Sequence, residues 1–235
     1  MGQRSGIVES ELTFRASDGL QVPAFTAGPG GATSAPRIVI APEIFGVSPW
    51  IREVARRLAR EGFRAIAPEI FVRDREPAGK DRESWMARIG RLDIPQAVRD
   101  LLAALEQLPA PGKAGAVGFC LGGALSILAA AEGGLDACVD CYGRPRWVQA
   151  TKAPNAIDAL DRIRSPVLAI YGQRDPSIPV AEAEGLRPRL PPRSELVFYQ
   201  AGHAFLNDTR PEMYVADQAV LAWAKMVGFL RRELM

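Results

Sequence analysis

Apolar residues fall along the chain in two alternating patterns: short unbroken runs, and longer stretches with helical spacing. The runs at Arg37–Ala41, Phe63–Ala67, Ala114–Gly118, Ala137–Tyr142, Pro166–Tyr171 and Glu195–Gln200 have the length and continuity of strands buried on both faces. Between them, Ile51, Val54, Ala55 and Leu58 recur at the spacing of a helix stripe, as do Val98, Leu101, Leu102 and Leu105 within Ile94–Leu108. Ser48-Pro49 supplies a cap and a first-turn proline for the first of these helices, and Gly62 its stop. Leu121–Ala131 predicts a helix of small and apolar residues able to lie close on a sheet. A helix is also predicted around Val180–Leu186. A last one runs from about Pro211 to Leu234, with Val220, Trp223, Val227 and Leu230 on one stripe. The opening differs. Glu11–Ala16 and Leu20–Phe25 flank the turn signal Ser17-Asp18-Gly19 and predict an antiparallel hairpin, followed by a loop over Gly28–Pro36. Residues 72–92 are polar, rich in arginine and without a clear period, which reads as an excursion over the substrate side of the sheet.

Strands alternating with helices predict an α/β fold: a mostly parallel central sheet, helices on both faces and an N-terminal antiparallel hairpin. No linker divides the chain, so residues 1–235 are expected to form one domain. Ligands of such sheets bind at the carboxyl ends of the strands, which makes the strand exits the places to look for chemistry.

Composition narrows the classes. With 29 basic and 27 acidic residues, the net charge of +2 gives no reason to expect nucleic acid or an anionic membrane as a partner. The first residues, MGQRSGIVESELTF, lack the apolar centre of a leader, and no apolar run approaches a membrane span. Three cysteines in a chain this long do not suggest a disulfide framework, and a reducing cytoplasm is the expected setting. Cys138-Val139-Asp140-Cys141 is a C-x-x-C, but strand alternation puts its thiols on opposite faces and no second pair exists to complete a zinc site. No phosphate-cradling glycine loop is present, so neither a metal nor an organic cofactor is expected. The arginines at 73, 75, 88 and 91 are read as a solvated face.

One strand exit stands out. Gly118-Phe119-Cys120-Leu121-Gly122 has the form G-x-S-x-G with cysteine at the serine position, between a strand and a helix. The small flanks clear space for a strained turn, and the helix N-terminus behind Cys120 favours a thiolate. On its own the motif fits a buried structural cysteine equally well. Asp175 after Pro166–Tyr171 and His203 after Glu195–Gln200 change that balance, because they complete a triad in the chain order nucleophile, acid, histidine. In this reading the His203 imidazole takes the thiol proton and Asp175 orients the ring. The amides of Leu121 and Ile44 are the candidate donors to a tetrahedral oxyanion.

These residues resemble the dienelactone hydrolase family (carboxymethylenebutenolidases) of the α/β-hydrolase superfamily, over nearly the whole chain. The resemblance lies in Ala41-Pro42-Glu43-Ile44-Phe45-Gly46, Gly118-Phe119-Cys120-Leu121-Gly122-Gly123 and Gly202-His203-Ala204-Phe205. It implies an α/β-hydrolase fold and a hydrolase of lactones or small esters that works through a thioester on Cys120. It also implies that Glu43 pairs with the thiol and helps generate the thiolate, which requires a carboxylate raised by burial. A substrate-carboxylate clamp of two arginines is implied too. Arg82 occupies the first position, whereas the second, four residues after the histidine, is Asn207. Met86 stands where an aromatic residue is expected, with Trp85 beside it; Phe45, Trp85, Tyr142 and Asn207 join Arg82 as expected pocket residues. Glu69, in the echo Ala67-Pro68-Glu69-Ile70-Phe71, is read as structural. The competing readings are a redox-sensing or non-catalytic protein with Cys120 as a reactive thiol, and an acyl transferase. Monomer and homodimer both remain open.

Overall fold

The computed structural model describes residues 6–31, 34–74, 76, 79–109, 111–148 and 153–235. The extreme N-terminus and Arg75 lie outside the described residues. The chain runs through β1 (Ile7–Arg15), β2 (Gln21–Pro29), β3 (Arg37–Ala41), α1 (Pro49–Arg60), β4 (Arg64–Pro68), α2 (Arg82–Arg91) and α3 (Ile94–Leu105). It continues through β5 (Ala114–Phe119), α4 (Leu121–Ala131), β6 (Ala137–Cys141), α5 (Ala156–Ala159), β7 (Val167–Gly172), α6 (Val180–Glu184), β8 (Glu195–Tyr199) and α7 (Ala216–Leu234). The strands form one sheet of eight in the order β1-β2-β4-β3-β5-β6-β7-β8. The pairs β1–β2 and β2–β4 are antiparallel; the other pairs are parallel.

Helices cover both faces. A Cβ on Gly115 would meet Leu234 of α7, whereas one on Gly118 would meet the backbone of α4. Residues three apart on a strand point to opposite faces, so α4 and α7 lie on opposite sides of β5. Arg57 of α1 sits over the Trp223 ring of α7, which places α1 on the α7 side. The α3 helix packs beside α4. Every residue of β5 and β6 is buried, as a strand covered on both faces requires.

The expected architecture is present, with displaced boundaries. The hairpin is longer than its turn signal implied, because β1 and β2 pair in register from Ile7↔Pro29 to Arg15↔Gln21. The α3 helix stops at Leu105 rather than Leu108, and α7 starts at Ala216 rather than Pro211. The stretch 72–92 is not aperiodic throughout. Asp81 caps α2 by accepting from the Ser84 amide. Of the arginines read as a solvated face, Arg91 is exposed, pairing with Asp74 and Glu76, but Arg88 and Arg73 are drawn in. Arg88 is buried with its guanidinium over the Phe71 ring, and Arg73 bridges Asp18 and Asp100. Carboxylates and a ring supplied from distant segments hold these two, and a local reading of charge does not see them.

Candidate active site

The exits of β3, β5, β6, β7 and β8 converge on one cavity of about 240 Å³. Glu43, Ile44, Phe45, Cys120, Leu121 and His203 all line it. A tight bend falls at Cys120, which sits at φ 54°, a left-handed conformation that costs an ordinary side chain about 1–3 kcal/mol. It is possible only because the flanks are bare. A Cβ on Gly118 would overlap the Gly122 carbonyl, and one on Gly122 would overlap the Ala41 carbonyl. The bend is anchored by the Cys120 amide, which donates to the Cys141 carbonyl at 3.0 Å. The α4 helix starts at the next residue, Leu121, so its N-terminus follows Cys120 directly.

His203 projects from the β8 exit. Its Nδ1 lies 2.7 Å from Asp175 Oδ2. Asp175 follows β7, is buried, and has its other oxygen held by the amides of Ser177 (2.7 Å) and Ile178 (3.1 Å). Burial of the imidazole opposes its charge, but the facing Cys120 sulfur and hydrogen bonds with Asp175 and Cys120 outweigh that and raise His203 to about 10. Its ring packs 5.3 Å from that of Tyr142, which is wholly buried and forms part of the cavity wall.

Glu43 is 2% exposed and faces the same cavity. Burial pushes its carboxyl up to about 7, against the hydrogen bond from Asn207 and the charges of His203 and Arg210. Among the described residues, Glu43 Oε1 and the Tyr142 hydroxyl find no hydrogen-bond partner. The loop that carries Glu43 and Ile44 is held from below by Glu69. Its two oxygens accept from the amides of Val47 (3.0 Å) and Phe71 (3.1 Å).

Arg82, Phe45 and Trp85 line the cavity, the two rings meeting edge to face at 5.6 Å. Met86 lines it too. Asn207 does not. It is 2% exposed and turned behind Glu43, because the chain tightens after His203 and aims the amide at the carboxylate. The cation at that end of the cavity is Arg210. Its guanidinium lies over Phe45 and Trp85, at 5.4 and 5.5 Å from the ring centroids. Nothing in the spacing of the sequence pointed to it. Arg144 also reaches the lining, tethered to the Ser177 carbonyl.

Asp140 is a second residue that sequence reasoning passed over. It is buried in β6, with Oδ1 accepting from the Gly143 amide and Oδ2 lying 2.7 Å from the Tyr171 hydroxyl. That hydroxyl is also 2.6 Å from the Gly143 carbonyl. Its single proton serves one neighbour. Burial raises Asp140 to about 7, against its bonds from the Tyr171 hydroxyl and the Gly143 amide. This cluster fixes the β6 exit, where Tyr142 holds a φ of 46°. The signal was available: a carboxylate within an apolar strand demands partners. Cys138 and Cys141 are fully buried and unpaired.

A sheet in this order, with a sharp turn after central β5 and a histidine after β8, is that of an α/β-hydrolase. The chain belongs to the dienelactone hydrolase family, whose sequence model matches residues 22–234, and is a hydrolase. Carboxymethylenebutenolidase of Pseudomonas putida is 33% identical over 236 residues, covering 93% of this chain and 94% of its own. The crystal structure of a Klebsiella pneumoniae subsp. pneumoniae protein, named "Putative Dienelactone Hydrolase", matches with a TM-score of 0.87 at 31% identity, covering 95% of this chain and 98% of that one. A dienelactone hydrolase from Anabaena variabilis shares the fold, with a TM-score of 0.72 at 21% identity over 97% of this chain and 99% of its own.

Proposed function

We propose that this protein hydrolyses a lactone or small carboxylic ester through a thioester on Cys120, with His203, Asp175 and Glu43 as its proton-handling groups. The observation that carries this reading is the convergence of a bent Cys120, the hydrogen-bonded His203–Asp175 pair and a half-partnered Glu43 on one cavity. The Cys120 thiolate attacks the carbonyl carbon, and the new oxyanion is met by the amides of Leu121 and Ile44. The C–O bond to the leaving alkoxide breaks as the His203 imidazolium gives up its proton. The Cys120 sulfur and Asp175 favour holding that proton on His203 until the bond breaks. In a lactone the leaving oxygen stays on the same molecule. His203, now neutral, takes a proton from water. The hydroxide adds to the thioester, and collapse releases the acid and restores the thiolate. Glu43 acts at the first step as the alternative acceptor of the Cys120 proton.

Apolar walls suit an apolar or unsaturated acyl part. Arg82 and Arg210 at one end favour a substrate that also carries a carboxylate. Free thiols fit a cytoplasmic location.

Purified protein is expected to turn over p-nitrophenyl acetate and a dienelactone. Cys120→Ala and His203→Ala should each abolish turnover, and a mass increase of one acyl group should map to Cys120 in quenched wild type. A wild type silent across a broad lactone and ester panel overturns the proposal.

A further inference from the structure

The tightened turn after His203 holds an amide that no step above uses. Asn207 Nδ2 donates to Glu43 Oε2 at 2.9 Å. Its Oδ1 accepts twice, from the Thr209 amide at 3.1 Å and from Thr209 Oγ1 at 2.7 Å. Those two donors decide which way the amide lies. Flipped, it would set NH₂ against two donors and oxygen lone pairs against the carboxylate. The orientation seen is therefore the one that satisfies all four groups.

Glu43 has few other ties. His203, Arg210, Tyr142 and Cys141 face it electrostatically, and Cys120 shares its cavity. Among the described residues, only Asn207 hydrogen-bonds the carboxylate.

We infer that Asn207 is a positioning residue: locked by Thr209, it holds Glu43 Oε2 and favours the ionised carboxylate, leaving Oε1 as the oxygen free to exchange a proton in the Cys120 cavity. This rests on the role proposed for Glu43. The physical reason is the kind of donor. A hydrogen bond to an ionised group stabilises it, and a neutral amide does so without bringing a full charge. A cation at this distance would keep Glu43 ionised at all working pH values. With an amide, burial still dominates, and the carboxyl stays near 7, where it both takes and returns a proton.

The test measures kcat/KM for p-nitrophenyl acetate and the rate of Cys120 alkylation by iodoacetamide, both against pH. Wild type should show an inflection near 7 that Glu43→Gln removes. Asn207→Ala should move that inflection upward by about one pH unit. Thr209→Val should move it the same way by less, since the amide then loses one of its two locks. Glu43→Gln/Asn207→Ala should match Glu43→Gln alone. If Glu43→Gln removes the inflection but neither Asn207→Ala nor Thr209→Val moves it, the positioning role is overturned while the proposed function stands. A shift in melting temperature with an unmoved inflection overturns it equally. If Asn207→Ala does not fold, Thr209→Val decides, because Asn207 is then still present. Absence of turnover in wild type is the separate failure, that of the proposed function.

Discussion

Two segments of this protein share the sequence Ala-Pro-Glu-Ile-Phe and leave adjacent parallel strands, yet their carboxylates have opposite fates. Glu69 is half-buried, and each of its oxygens accepts a backbone amide. Glu43 is buried deeper, with one side-chain donor and one oxygen left without a partner. Local sequence therefore does not decide which glutamate is structural. The supply of donors does. A carboxylate saturated by amides is tied into the backbone; one buried and half-satisfied is raised into the neutral range and can trade protons. The two are also connected. Glu69 pins Val47, and with it the loop on which Glu43 and Ile44 ride, so the saturated copy steadies the half-satisfied one.

The comparison can be broken most directly by kinetics. Glu43→Gln should lower kcat/KM by about 100-fold or more, the range for loss of a proton-transfer group, with the fold intact by circular dichroism. Equal losses in Glu43→Gln and Glu69→Gln would erase the distinction. Stability sharpens it. Glu43 has a folded pKa of about 7 against 4.5 unfolded, so the native state holds the extra proton. Its contribution is fully present below the unfolded value and is lost as pH rises through about 7. Glu43→Gln removes that loss. Its advantage over wild type in urea unfolding should grow across this window to as much as ~3 kcal/mol and then level off. Asp140, raised into the same range, is common to both proteins and cancels in the difference. Glu69→Gln should cost ~1–3 kcal/mol from the amide it leaves unpaired. The smallest effect concerns the cation facing Glu43. Arg210→Ala should raise KM several-fold for esters bearing a carboxylate and less for neutral ones, as steady-state kinetics on matched substrates would show.

The parallel sheet and the bend at Cys120 were legible because each rests on local chemistry: unbroken apolar runs, and glycines where backbones nearly touch. His203 and Asp175 were legible through chain order. The α2 helix was not, because Trp85, Met86 and Ile89 are only partly buried among arginines and leave no clear stripe. Asn207 and Arg210 were misjudged for a different reason. From His203 to Val215 the chain is a succession of tight turns, with Asn207 bonded back to Ala204, Arg210 to Asn207 and Val215 to Phe205. In such a path no period tells which residue faces the cavity. Arg210 lines the cavity three positions beyond the place where the resemblance implies an arginine, and the residue at that place, Asn207, faces Glu43 instead.

The two buried cysteines have a practical side. Burial raises Cys138 to about 12 and Cys141 well above the ordinary thiol value, while Cys120 alone is partly open to solvent. In the folded protein, one equivalent of an alkylating reagent is therefore a count of Cys120 thiols. A second equivalent consumed signals that β6 has opened, so a single titration grades the integrity of a preparation.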